Sequence, residues 1–248
     1  MRLFKFRKKD IALRDKEVHL LSDKTPFAIQ EAYKALRTNL IFSMPEDGCK
    51  TILITSSVQG EAKSTTAVNL AIAFAQNGNK VLLIDCDLRL PTDAAKLKVK
   101  GTPGLTDVLV GMNSINEVIR ALPTGMHFLP AGTVPPNPTE LLGSDQMSML
   151  LRSLRNHYEY IVLDTPPINA VADAAILSGE ASGVAIVVRQ NMATEESIDS
   201  AISALEFAGA RILGFIFTGV ENEKQNAYRK SGYYGYGYAQ SAARANKK

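Results

Sequence analysis

Lys63 stands between a loop, Ser56-Ser57-Val58-Gln59-Gly60-Glu61-Ala62, and three hydroxyl residues, Ser64, Thr65 and Thr66. An amine beside hydroxyls, at the mouth of a Gly/Ser-containing loop that leads into a helix of good formers, suits phosphate chemistry. Loop N–H groups and the positive helix end cradle phosphate oxygens, Lys63 reaches the β/γ-phosphates, and the Ser64 hydroxyl ligates Mg²⁺. The cradle is assigned to Gln59, Gly60, Glu61, Ala62, Lys63, Ser64 and Thr65. Scored against G-x-x-x-x-G-K-[ST], Ser57 and Ala62 occupy the two glycine positions, and each Cβ restricts how closely the backbone wraps a phosphate.

Acidic residues form the second half of the constellation. The unbroken apolar run Val81-Leu82-Leu83-Ile84 reads as a central parallel strand covered on both faces, and it delivers Asp85 at its carboxyl edge, where open α/β sheets bind ligands. Asp87 follows, then Arg89 and Pro91. Tyr160-Ile161-Val162-Leu163 ends in the same way on Asp164, followed by Thr165-Pro166-Pro167, in the position of a carboxylate that serves Mg²⁺ in P-loop proteins. One such aspartate is often only a helix cap; three beside a Lys-Ser-Thr loop favour a metal-nucleotide site.

The elements that must position these groups alternate. Strands are expected over 51–55, 80–85, 126–130, 160–164, 183–189 and 211–217. Helices are expected over 64–77, 144–157, 172–178 and 194–208, with an earlier one over 27–43 opened by Pro26. That order predicts an α/β fold with a mainly parallel central sheet and helices on both faces. At 248 residues and 46% hydrophobic content, one core suffices. The division expected is a flexible basic start (1–25), a P-loop domain (26–220) and a flexible tyrosine-rich tail (221–248). Pro45-Glu46-Asp47-Gly48 marks a turn.

Composition removes other classes. A net charge of +3 is too small to argue for nucleic acid, and the one dense basic cluster (Arg2, Lys5, Arg7, Lys8, Lys9) is terminal. Two cysteines, Cys49 and Cys86, give neither a disulfide framework nor a zinc site and fit a reducing cytoplasm. No apolar run is long enough to cross a bilayer, so membrane association would come through a partner. His19, His127 and His157 lie outside every motif and read as structural or surface residues.

From Glu31 to Tyr238 the sequence resembles the bacterial tyrosine kinase family, the cytoplasmic kinases of capsule and exopolysaccharide systems in their Gram-positive form. The resemblance rests on Glu31-Ala-Tyr-Lys-Ala-Leu-Arg37-Thr-Asn39, Gly60-Glu-Ala-Lys-Ser-Thr-Thr66, Asp85-Cys-Asp-Leu-Arg-Leu-Pro91, Pro135-Pro-Asn-Pro138 and Asp164-Thr-Pro-Pro167. It implies ATP as donor, Asp85 and Asp87 serving Mg²⁺ and activating the incoming tyrosine hydroxyl, and Asp164 as the Walker B carboxylate, with Ser64, Asp85 and Asp164 as the metal set. It also implies a ring of copies, an octamer being one form, joined through Glu31, Lys34 and Arg37. A separate transmembrane activator would contribute its cytoplasmic segment, and a tyrosine phosphatase would oppose the kinase. Three positions depart from the family: Ala62 replaces a glycine, Lys34 an arginine, and Phe217-Thr218-Gly219 stands where an asparagine contacts the base.

Tyrosine ionises near pH 10, so its hydroxyl must lose a proton to a placed carboxylate during attack, for which Asp85 or Asp87 is positioned. The tail supplies candidate substrates: Tyr228, Tyr233, Tyr234, Tyr236 and Tyr238 are spaced by Gly232, Gly235 and Gly237. The expected function is therefore trans-autophosphorylation of this cluster. Two rivals remain at this level. A partition or septum-positioning ATPase would carry an early loop lysine, where this chain has Val58. A nucleotide-sensing adaptor weakened by Ala62 would bind ATP without transferring phosphate.

Overall fold

The computed structural model describes residues 20–44 and 47–220. Its elements in order are α1 (Phe27–Ser43), β1 (Lys50–Ser56), α2 (Lys63–Ala75), β2 (Val81–Asp85), α3 (Asp93–Lys96), α4 (Leu105–Leu109), α5 (Ile115–Val118), β3 (Arg120–Ala121) and β4 (His127–Leu129). There follow α6 (Pro138–Leu142), α7 (Asp145–Leu154), β5 (Tyr160–Asp164), α8 (Asp173–Ser178), β6 (Gly183–Arg189), α9 (Glu195–Phe207) and β7 (Ile212–Thr218). The strands form one sheet in the order β3-β4-β2-β5-β1-β6-β7, parallel throughout except for β3, which runs antiparallel to β4 at the edge. The long elements agree with the sequence reading to within three residues. β3 and the four-to-five-residue helices α3 to α6 were not anticipated, being too short to show a period.

Both faces of the sheet are covered, which is why β2 and β5 are apolar without alternation. Leu82 and Ile84 pack into the layer shared with α7, α8 and α9, while Val81 and Leu83 point into the layer shared with α1 and α2. α2 is buried almost all round: every residue from Thr66 to Phe74 is inaccessible. Its small and aliphatic side chains suit a helix held between the sheet and α1.

One boundary needs correction. Of residues 20–25, assigned above to the flexible start, Leu20 and Leu21 pack against the layer of α2 and Thr25 is buried. Leu21 is 4% exposed and its N–H donates to Asn69 Oδ1 at 2.8 Å, and the Thr25 hydroxyl donates to the Leu20 carbonyl at 3.2 Å. Two leucines behind a charged stretch carry no period of their own; the apolar cover on α2 is what orders them. Residues 1–19, Pro45, Glu46 and 221–248, with all five tail tyrosines, lie outside the described residues. Among the described residues no helix is long and apolar enough to cross a membrane.

Candidate functional site

β1, β2 and β5 end side by side, and parallel pairing brings their carboxyl ends to one edge. Asp85 and Asp164 are direct register partners on neighbouring strands, so the two carboxylates share a face about one strand spacing, ~4.8 Å, apart. The Cys86 N–H donates to the Asp164 carbonyl at 2.8 Å and carries the ladder one step beyond β2. From there the chain wraps around Asp85, which accepts the Asp87 N–H and the Asp93 N–H, both at 3.2 Å. Asp85 is therefore enclosed beneath the loop, whereas Asp87 lines an open cleft of about 430 Å³. The two aspartates that the motif sets two residues apart occupy different places, one under the floor and one in the wall.

On the other side of the cleft is the β1–α2 loop. Gly60 has φ of 91° and Ala62 φ of 69°, so Ala62 adopts the left-handed shape that a glycine would take without strain. The loop fold survives the substitution, at a backbone cost. The first N–H groups of a helix have no intrahelical acceptor, and here Thr66 is the first to find one, on the Ala62 carbonyl at 2.9 Å. Earlier amides of α2 thus face the cleft end with the positive pole of a thirteen-residue helix.

Lys63 reaches from this helix start across the cleft. Its Nζ lies 3.0 Å from Asp87 Oδ2, 3.1 Å from Ser64 Oγ and 3.6 Å from Asp164 Oδ2. Burial alone would lower its pKa, but Asp164 and Asp87 outweigh that and hold the ammonium above its ordinary value. Of the predicted cradle, Gln59, Gly60, Ala62, Lys63, Ser64 and Thr65 line the cleft.

Glu61 does not present its side chain there. Fully buried, its carboxylate accepts from Ser57 Oγ (2.9 Å), the Val58 N–H (2.8 Å) and the Arg189 N–H (3.0 Å). The Thr218 hydroxyl donates to the Glu61 carbonyl at 2.9 Å. Glu61 is a brace tying the loop to the ends of β6 and β7, and only its backbone can serve a phosphate. A carboxylate beside a phosphate would repel it, and turning inward toward three donors avoids that.

Two features of the site were missed. Asp93, first residue of α3, is fully buried, and oxygens of Asp85, Asp93 and Asp164 all lie within 4.8 Å of one another. A lone acid at a helix start reads as a cap, so its pattern gave no signal. Arg89 pairs with Asp173, also fully buried, through Nε to Oδ2 at 3.0 Å and Nη2 to Oδ1 at 3.2 Å, with the Thr139 hydroxyl on the same carboxylate at 2.6 Å. This clamp fixes α6 and α8 beside the cleft.

The clustered acids perturb one another. Burial, then the neighbouring Asp164, pushes Asp85 up to about 7. Asp93 rises well above the usual carboxylate range through burial, then Asp164 and Asp85, and Asp164 is raised by burial against the pull of Lys63. Among the described residues, Asp93 Oδ2 is buried without a hydrogen bond, and the buried Asp164 oxygens have at most the Ser64 hydroxyl. Oxygen-only donors, an excess of negative charge and orphaned oxygens under an N–H-lined loop fit a hard divalent cation carried with a phosphate ligand.

The helix stripe behaves less simply than its spacing implied. Lys34 pairs with Glu31 at 2.8 Å on the exposed face of α1, but Arg37 turns inward and donates to the Ala73 carbonyl at 2.7 Å, near the α2 C-terminus. A larger cavity, about 880 Å³, opens at the opposite edge of the sheet beside His127, His157 and Tyr158 and contains none of the loop or acid residues. His127 Nδ1 is 2.7 Å from the Tyr158 hydroxyl, as suits a structural residue.

The chain matches known proteins in both sequence and fold. A family described as AAA domain matches residues 49–208. The tyrosine-protein kinase YwqD of Bacillus subtilis (strain 168) is 41% identical over 206 residues, spanning 83% of this chain and 86% of that protein. The kinase domain of Escherichia coli tyrosine kinase ETK superposes with a TM-score of 0.76 at 36% identity, covering 78% of this chain and 76% of that one. The septum site-determining protein MinD of Pyrococcus horikoshii, complexed with Mg-ADP, is more distant: TM-score 0.58, 26% identity, covering 68% and 70%.

Proposed function

Because the chain belongs to the bacterial tyrosine-kinase family of P-loop proteins, we infer that it is a protein-tyrosine kinase that transfers a phosphoryl group from ATP to tyrosine. The observation that carries this reading is the cleft where Lys63, Asp87 and Asp164 meet at the carboxyl edge of β1, β2 and β5, open to solvent on the Asp87 side. Bound Mg·ATP supplies the transferable phosphoryl group and a cation that neutralises its charge.

The protein's own contributions follow from the geometry. The loop amides and the α2 N-terminus hold phosphate oxygens. Lys63, kept protonated by its two acids, follows developing negative charge from Asp87 toward the phosphate. Ser64, Asp85 and Asp164 would hold the cation from below. Asp87, in the wall, accepts the proton of an incoming tyrosine hydroxyl. The clamp of Arg89 on Asp173 keeps that wall in place.

The substrates are the tail tyrosines Tyr228, Tyr233, Tyr234, Tyr236 and Tyr238 of another copy, presented in a ring joined through α1 by Glu31 and Lys34, with Arg37 supporting α1 from within. The cytoplasmic segment of a transmembrane activator recruits the kinase to the membrane, and a tyrosine phosphatase resets it; the regulated process is capsule or exopolysaccharide synthesis and export. Kinase unit and tail divide near residue 220. Intact mass after incubation with Mg·ATP, with and without an activator segment, tests this. Additions of about 80 Da each, mapping to the tail and absent in Asp87→Asn and Lys63→Met, are expected. ATP binding without any addition under either condition would instead identify a nucleotide-sensing adaptor.

A further inference from the structure

Asp93 is a third buried carboxylate at a site where the family assignment uses two, and its surroundings differ from those of a helix cap. Its N–H donates to Asp85 Oδ2, which sets its side chain beside Asp85. Lys96 Nζ lies 3.4 Å from Asp93 Oδ1, leaving Oδ2 buried and without a hydrogen bond. The Asp164 oxygens have at most the Ser64 hydroxyl beside them among the described residues, and the nearest ammonium, Lys63 Nζ, stands 3.6 Å away. Among the described residues, Asp85, Asp87, Asp93 and Asp164, when ionised, face two ammonium groups in contact, Lys63 and Lys96, which leaves two negative charges uncompensated. A single divalent cation balances them.

We propose that Asp93 joins Asp85 and Asp164 in holding a divalent cation, Mg²⁺ or Mn²⁺, before any nucleotide arrives. A cation held only by Ser64, Asp85 and Asp164 needs phosphate oxygens to complete its ligand set. Three carboxylates with oxygens within 4.8 Å of one another do not. The buried cluster is thereby neutralised in the resting protein, and the nucleotide meets a site already carrying its metal. Lys96 is the internal competitor, its ammonium holding one Asp93 oxygen while the cation is away. The inference rests on the kinase reading for its purpose but not for its observable.

The test titrates Mn²⁺ into the nucleotide-free full chain and follows the electron paramagnetic resonance signal of the free ion. One site per chain is expected. Asp93→Asn should weaken it at least tenfold, since even partners behind the ligands commonly cost roughly 10–100-fold. Lys96→Met, which removes the competing ammonium, should tighten binding severalfold and reports on the site even if Asp93→Asn fails to fold. Absence of binding without nucleotide overturns the proposal. So does unchanged affinity in a folded Asp93→Asn, or in Lys96→Met. Tail phosphorylation measured on the same preparations separates the two readings: active kinase without nucleotide-free Mn²⁺ binding sinks this inference alone.

Discussion

Ala62 holds a left-handed conformation, φ 69° and ψ 23°, that costs a residue with a Cβ about 1–2 kcal/mol relative to glycine. Ala62→Gly removes that strain. It also loosens the unfolded chain, which takes back roughly 0.4–1 kcal/mol. The net expectation is a gain of about 0.5–1 kcal/mol, or ~1–4 °C in melting temperature for a domain of this size. Urea and thermal melts of the nucleotide-free chain measure it directly. Lys98→Gly is the matched control: Lys98 has φ of 56° and lies outside the cleft lining, so it should gain similarly. Nucleotide binding gives the sharper reading, because the loop already has its glycine-like shape. Affinity for a fluorescent ATP analogue should therefore change by less than about threefold, ~0.7 kcal/mol. Destabilisation by Ala62→Gly would refute the strain argument. A tenfold gain in affinity would show that the Cβ obstructs the phosphate and would strengthen the adaptor alternative.

Glu61→Ala leaves the Ser57 hydroxyl and two backbone N–H groups without their buried acceptor, so a loss of about 2–4 kcal/mol is expected. ATP affinity should fall with it; a melt and affinity indistinguishable from wild type would show that the brace is dispensable. Stability of the metal-free, nucleotide-free chain should fall as pH rises. Asp85 titrates near 4 when unfolded and at about 7 when folded, so the folded state binds the extra proton between those values. That stabilisation is full below pH 4 and lost by about pH 7, with an upper limit of ~4 kcal/mol. Asp93 and Asp164 act in the same direction. Urea melts at pH 5 and pH 8 should show a smaller difference in Asp85→Asn than in wild type, and identical differences would exclude Asp85 as a source.

Chemistry and fold class were legible in the chain because both rest on local or periodic signals. Lys63-Ser64 after a loop, and apolar runs ending in Asp85 and Asp164, encode a phosphate site at a sheet edge without reference to anything distant. What the sequence could not decide depends on which residues become neighbours. Strand order put β5 between β1 and β2, and only that placement sets Asp164 opposite Asp85. Burial then separated look-alike acids. Asp85 went under the floor, Asp87 into the wall, Glu61 inward as a brace, and Asp93, indistinguishable from a cap, became the third member of the buried cluster. A carboxylate's role is set by the donors, cations and solvent around it, and in this chain those arrive from elements as distant as α2, α6 and β6, which only the folded sheet brings together.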